Sequence, residues 1–189
     1  MFIRSERLFL RPGWPEDWTE LLGQVADEQI VRNLASAPWP YTAQATRDCA
    51  AQPQAPRYPH FMVTLPTGDG SRVIGTVGLT PAEGGSEMGY WIAQEQSNRG
   101  YATEAVRAVI RLARTLGHER LVAYHFVDNP ASGRVLHKAG FAQTGQIGLR
   151  YSLGRGEQAP AEILALELGR PNACDGGKSG PDGPMWVAA

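Results

Sequence analysis

Gly89-Tyr90-Trp91-Ile92-Ala93-Gln94-Glu95-Gln96-Ser97-Asn98-Arg99-Gly100-Tyr101-Ala102-Thr103-Glu104-Ala105 is the stretch whose reading decides the fold. A short apolar run ends at Ala93, a polar loop follows, and a helical pattern opens at once. A strand–loop–helix of this kind turns successive backbone N–H groups toward one point. The first helical turn adds its unpaired N–H groups and the positive end of its dipole. Such a site suits a phosphate or pyrophosphate, and Gly100, lacking a Cβ, lets the backbone come close. A glycine placed for turn geometry alone would read the same way, so the surrounding chain must decide. The stretch has neither the G-x-x-x-x-G-K-[ST] of a P-loop nor the G-x-G-x-x-G of a dinucleotide-binding turn.

Downstream, Ala102, Ala105, Val106, Val109, Ile110, Ala113 and Leu116 form one apolar stripe, and Gly117 ends the helix. Arg120–Val127 is a largely apolar strand. Strand–helix–strand implies that the strand ending at Ile92 and the strand from Arg120 lie parallel. Asn129 and Pro130 suit the N-cap and first position of a second helix, which Gly140 closes. Gln146–Tyr151 and Glu162–Leu168 read as a final strand pair.

Upstream, Glu87–Ile92, Arg72–Leu79 and His60–Leu65 read as antiparallel strands joined by Gly-rich turns. Arg4–Pro12 reads as the first strand. A helix opens near Pro15, a second helical piece covers Glu28 to Leu34, and Thr42 caps a short third one. Ala37-Pro38-Trp39-Pro40-Tyr41-Thr42 is a stiff loop that displays two aromatics. Its rings either pack on the core or wall a binding cleft.

The 189 residues suffice for one domain with a real core, and 42% apolar content is ordinary. With 18 basic and 19 acidic residues, the chain lacks the positive field of a nucleic-acid binder. No apolar run reaches the ~18 residues of a membrane span, and the N-terminus does not read as a signal peptide. Cys49 and Cys174 stand in no metal-ligand spacing, and a reducing cytoplasm is the expected compartment. From Gly169 onward the chain turns Gly/Pro-rich and core-poor, with an apolar Met185-Trp186-Val187 near its end. The expected organisation is one domain over 1–168 and a flexible tail over 169–189.

Two motifs stand in order: Ser97-Asn98-Arg99-Gly100-Tyr101-Ala102-Thr103-Glu104-Ala105, and Asn129-Pro130-Ala131-Ser132-Gly133-Arg134-Val135-Leu136-His137-Lys138-Ala139-Gly140-Phe141. Together they resemble the GCN5-related N-acetyltransferases (GNAT), in particular the RimJ/RimL-like branch of ribosomal-protein N-terminal acetyltransferases. Arg4–Leu10, Pro38–Thr42 and Tyr151-Ser152-Leu153-Gly154-Arg155-Gly156 are similar to that branch as well. The likeness covers about residues 3 to 168. The family motif Q/R-x-x-G-x-G/A begins here with Ser97, and Asn98 stands where this branch often has glycine. Because such a loop works through backbone N–H groups, phosphate binding tolerates both changes.

The resemblance implies an α+β fold. A central, mostly antiparallel twisted sheet with one parallel pair is flanked by helices on both faces. It implies acetyl-CoA as cosubstrate, no metal, and a primary amine as acceptor, either a protein N-terminus or a small molecule. Nucleic acid and membrane are not expected partners, and the chain is expected to be a monomer or homodimer. By the same likeness, Ile92 and Ala93 would pair with the pantetheine arm. Arg99, Gly100, Tyr101, Ala102 and Thr103 would hold the pyrophosphate. Asn129 would bond the pantetheine, and Ser132 would lie near the thioester sulfur.

Amide formation from a thioester requires a deprotonated amine, a stabilised carbonyl oxygen, a stabilised thiolate and an in-line arrangement. Glu87 is the candidate base, directly or through water; a solvated strand-edge glutamate fits its position equally. Ile92 or Ala93 N–H is the oxyanion donor. Ser132 is the candidate thiolate donor, with Tyr124 and Tyr151 as rivals; as a first-turn serine, Ser132 also suits local capping. Arg134 or Lys138 reaches the CoA 3′-phosphate, or belongs to a solvated helix face. Trp39, Tyr41 and Trp91 are compatible with an acceptor cleft. His125 and His137 read as packing residues. The alternative to an acetyltransferase is a CoA-binding module or sensor that no longer catalyses.

Overall fold

Alternation along the strands sorts their side chains into two layers. In β3 (His60–Thr67), Phe61 and Val63 join one apolar cluster and Met62 joins another on the opposite face. The computed structural model describes residues 1–169 other than Gln52 and Gln54. The tail and its Met185–Val187 tip lie outside the described residues.

The expected first strand is two short ones. β1 (Ile3–Arg4) pairs antiparallel with β2 (Phe9–Arg11). Between them Ser5 N–H donates to Leu8 O (3.0 Å), a local turn that competes with continued extension. Pro15–Asp17 forms a 3-10 turn leading into α1 (Trp18–Val25). Asp17, the last residue of that turn, makes a buried bidentate ion pair with Arg11, both contacts at 2.7 Å. α2 (Glu28–Val31) is a single turn capped by Asp27, shorter than its sequence pattern. α3 (Ala43–Ala50) is capped by Thr42, as expected.

After β3 come β4 (Gly70–Ala82) and β5 (Gly85–Ile92), an antiparallel meander. α4 (Tyr101–Thr115) follows the loop and ends as read: Gly117 takes φ 76°, and His118 N–H reaches back to Ala113 O (3.0 Å). β6 (Arg120–Phe126), α5 (Pro130–Ala139), β7 (Ala142–Ser152) and β8 (Glu157–Glu167) complete the domain. The last two strands are longer than expected, because a register shift between Gln143 and Ile147 carries the pairing across Gly145.

The sheet has eight strands in the order β1-β2-β3-β4-β5-β6-β8-β7. The pairings are antiparallel except for β5–β6, which is parallel as the strand–helix–strand reading required. The main core joins α4 and α5 to one face through Val106, Val109, Ile110 and Leu136 against Leu10, Phe61, Leu79 and Leu121. Leu21 of α1 and Ala50 of α3 cover the other face with Met62 and Val73.

Candidate active site

The parallel pair is short. Among the described residues β5 and β6 pair at two positions, Ser86 with Leu121 and Glu87 with Val122. Beyond them Gly89–Ile92 runs on paired to β4 alone, while β6 keeps its pairing to β8 on its other edge. Main-chain groups alternate sides along a strand. Ala93 N–H donates to Ile74 O of β4 (2.8 Å), so the N–H and C=O groups of Tyr90 and Ile92 point the other way, into the gap. A cavity of about 450 Å³ fills that gap, running from Glu87 along Tyr90–Ile92 to the start of α4.

At that end, Asn98 takes φ 60° and Gly100 φ 82°. Gly100 offers α4 no side-chain cap, whereas Asp27, Thr42 and Asn129 cap α2, α3 and α5. Tyr101, Ala102 and Thr103 line the cavity, so the unpaired N–H groups of this first turn are directed at its contents. Arg7 braces the corner. Its amide and guanidinium bond Glu104 (2.7 and 2.8 Å), Nη1 donates to Arg99 O (3.0 Å), and the guanidinium lies 4.6 Å from the Tyr101 ring centroid. Burial opposes the charge on Glu104, but the Arg7 and Ser5 hydrogen bonds outweigh it and hold the carboxyl below its ordinary value.

At the other end, α5 presents Ser132. Asn129 accepts from Ser132 N–H (3.3 Å) as the N-cap. The Ser132 hydroxyl sits 2.7 Å from the Tyr90 hydroxyl, which also donates to Ser132 O (3.0 Å). Burial pushes Tyr90 up to about 12, so it stays a neutral donor. The Glu87 carboxylate accepts from Arg150 of β7 (3.0 Å), whose guanidinium lies 3.8 Å from the Tyr124 ring centroid. Glu87 is the acidic side chain among the residues lining the cavity.

The far wall is the segment Asn33–Ala35, and the β7–β8 hairpin fixes it. Ser152 Oγ donates to Leu34 O (2.8 Å) and Leu153 N–H to Ala35 O (3.0 Å). Arg155 donates to Arg32 O (2.7 Å) and grips Asp128 twice (2.8 Å each). These hydrogen bonds, against some burial, hold the Asp128 carboxyl below its ordinary value.

Of the residues singled out from sequence, Glu87, Trp91, Ile92, Gly100, Tyr101, Ala102, Thr103, Asn129, Ser132 and Lys138 line this one cavity. Tyr124, His125 and Arg134 line it as well, whereas Ala93, Arg99, Tyr151, Trp39 and Tyr41 do not. Ala93 is buried at 1% exposure, and both its backbone groups are engaged, N–H with Ile74 and C=O with Gln96. It therefore has no free amide for a ligand. Arg99 contributes its carbonyl to the Arg7 brace, and its exposed side chain is not part of the lining. Tyr151 is 51% exposed and outside the lining, because alternation in β7 that turns Arg150 toward Glu87 turns Tyr151 away. Trp39 lies on the surface, and Tyr41 packs against Val25, Val31 and Ala37 with its hydroxyl bonded to Cys49. Neither ring walls the cleft; the packing alternative holds for Tyr41.

Tyr90, Arg150 and the Arg7–Glu104 brace were not singled out. For Tyr90 a signal existed: period-two alternation puts it on the Met88/Ile92 face, toward the following helices. Arg150 had none, since its place depends on the register of β7 against β8.

The Acetyltransferase (GNAT) domain model matches residues 7–142. The chain belongs to the GNAT acetyltransferase family. An uncharacterized N-acetyltransferase, YoaA of Bacillus subtilis, is 37% identical over 83 residues, 42% of this chain and 47% of that protein. The chain thus spans about half the length of the curated relative it matches. Among solved structures, a GNAT-family acetyltransferase from Bacillus anthracis superposes with a TM-score of 0.76 at 24% identity, covering 88% of this chain and 98% of the other. A RimL ribosomal alpha-N-protein acetyltransferase in complex with coenzyme A gives a TM-score of 0.70 at 17% identity, covering 88% and 98%.

The GNAT site's donor set fits acetyl-CoA. It offers an unpaired strand edge for the pantetheine amides and an uncapped helix start for the pyrophosphate. Beside the same loop, Gln96 Oε1 is buried and has no hydrogen-bond partner among the described residues. Among the described residues, no three His, Cys, Asp or Glu side chains gather to hold a metal, and no helix is long and apolar enough to cross a membrane.

Proposed function

We propose that the chain transfers an acetyl group from acetyl-CoA to a primary amine by direct attack in a ternary complex, as a cytoplasmic RimJ/RimL-like N-acetyltransferase. The observation that carries this reading is the continuity of one cavity, from the uncapped start of α4, past the free edge of β5, to Glu87. Acetyl-CoA supplies the acyl group and a thiolate leaving group.

The backbone of Asn98–Thr103 binds the pyrophosphate. Tyr90 and Ile92 receive the pantetheine arm as if it were an added strand. Ile92 N–H donates to the acetyl oxygen as it gains charge; Ala93 N–H, committed to Ile74, drops out of that role. Glu87 takes the proton of the attacking amine, directly or through water. Ser132 O–H donates to the departing sulfur while Tyr90, whose hydroxyl contacts both Ser132 O and Oγ, turns its proton from the carbonyl to Oγ, so the short Tyr90–Ser132 contact positions the serine hydroxyl. Overall one C–N bond forms, one C–S bond breaks, the electron pair leaves on sulfur, and the amine proton passes through Glu87 to solvent. A protein N-terminus or a small amine fits the acceptor role, and the RimL likeness supports the first.

The engagement of Glu87 by Arg150 favours one alternative, a CoA-binding module without turnover. Calorimetric titration with acetyl-CoA beside dephospho-CoA, followed by thiol release with a panel of amines, tests both. Saturable binding with amine-dependent thiol release supports the enzyme, and binding without release supports the module. No binding by folded protein overturns the acyltransferase reading.

A further inference from the structure

We propose that Arg150 is the anion-binding half of the acceptor site, so that the preferred acceptor is a primary amine carrying a carboxylate within two or three bonds of its nitrogen. The inference rests on the acetyl-transfer reading above and narrows its acceptor class.

The first observation is shared walls. A second cavity of about 380 Å³ adjoins the first, and Glu87, Tyr124, Arg150 and Ala161 line both. Its remaining walls are apolar at Pro81, Leu149 and Ile163 and carry one further carboxylate, Glu83, with Arg150 as the cation. The Glu87–Arg150 pair therefore stands at the junction of the two spaces. Its side chains are 25% and 28% exposed, accessible to a ligand from either.

The second observation is uncommitted hydrogen-bonding capacity. Arg150 uses Nη2 on Glu87 Oε2 (3.0 Å), and its Nε and Nη1 meet no acceptor among the described residues. Glu87 Oε1 likewise has no donor among them. The Tyr124 ring under the guanidinium fixes its plane, which suits the fork to a carboxylate.

The chemistry follows from charge. An ammonium that approaches Glu87 without a counter-ion also approaches Arg150, and the two cations repel. A zwitterion instead completes a ring of four alternating charges, with ammonium on Glu87 and carboxylate on Arg150. The carboxylate matters again at the proton transfer. Once Glu87 holds the proton it no longer neutralises Arg150, and a half-buried, unpaired guanidinium opposes the step. The acceptor's own carboxylate keeps Arg150 paired throughout. Two sources share this chemistry: a free α-amino acid, or a polypeptide that begins with an acidic residue.

The test compares matched acceptors on the full-length protein by thiol release. Leucine is set beside isoamylamine, and short peptides beginning with Asp beside the same peptides beginning with Asn. The expected result is a roughly 10- to 100-fold higher kcat/KM for the anionic member of at least one pair, the scale of one or two charge-assisted hydrogen bonds. Whichever pair responds identifies the source. Arg150→Gln should erase that preference, raising KM for the anionic acceptor relative to the neutral amine until the ratio of their kcat/KM values falls to about one, and Arg150→Lys should restore part of it. Equal rates within both pairs, a preference for the neutral members, or an equal loss for both members in Arg150→Gln would overturn the inference. Turnover of no carboxylated acceptor by protein that binds acetyl-CoA also counts against it. Acetyl-CoA titration keeps the two failures apart: absent binding sinks the acetyl-transfer reading, whereas binding with acetylation of neutral amines sinks only the role of Arg150.

Discussion

Substituting Gly75 with alanine should damage a site that Gly75 does not touch. Gly75 lies on β4 opposite Ile92 of β5. A Cβ built there stands 2.1 Å from Trp91 O and 2.9 Å from Ile92 Cα. Both are backbone atoms, so no rotamer relieves the clash. Ordinary contact begins at 3.4 Å, so the strands must part by about 1.3 Å, the difference between 3.4 and 2.1. The displaced segment carries Ile92 N–H and the edge proposed to receive pantetheine. Overpacking of this kind costs ~1–3 kcal/mol, or roughly 2–12 °C in Tm for a domain of this size. A positioning error near 1 Å costs on the order of 10²-fold in rate. Thermal unfolding, calorimetry with acetyl-CoA and thiol release would be measured on Gly75→Ala beside Gly68→Ala, whose Cβ meets nothing within 4 Å. The expected outcome is a lowered Tm, acetyl-CoA affinity reduced at least 10-fold and a larger loss of turnover for position 75, with position 68 unchanged. A folded Gly75→Ala protein with wild-type affinity and rate would refute the strand-edge account of binding.

Tyr90→Phe should lower kcat by about 2- to 10-fold, the worth of one neutral hydrogen bond, while acetyl-CoA affinity holds. In a Ser132→Ala background it should change nothing further, and additive losses would show that Tyr90 does not act through Ser132. Glu104 has a depressed folded-state value, so its stabilisation is present above its ordinary value of 4.5 and is lost as pH falls through the lower folded one. The stability gap between wild type and Glu104→Gln, read from urea unfolding, should therefore narrow below pH 4.5; a gap independent of pH would contradict the brace.

Local rules made much of this fold legible. The α4 stripe, the Gly117 stop, the Asn129–Pro130 start of α5 and the Thr42 cap each depend on residues within a turn of one another, so spacing alone reveals them. The parallel β5–β6 pair followed from chain connectivity. The turn at Gly100 was readable because glycine position reports backbone conformation. Spacing did less well where the chain bends on itself. Ser5 splits the first strand in two, and Gly145 sits in a bulge that extends the last pair.

What only the tertiary structure decided is which side chains share one space. Tyr41, Trp39 and Tyr151 carry site-like chemistry in sequence, yet packing and strand alternation turn them elsewhere. Ala93 has its amide taken by Ile74, nineteen residues back in sequence. Glu87 and Arg150 are separated by 63 residues, Tyr90 and Ser132 by 42, and Arg7 and Glu104 by 97. Each of those contacts depends on the register of strands or on the docking of a helix, and register is a property of the whole sheet. The sequence by itself determined the order of the elements and the backbone turn at Gly100. The assembled sheet decided where β5 and β6 part, and so which residues face the reacting groups.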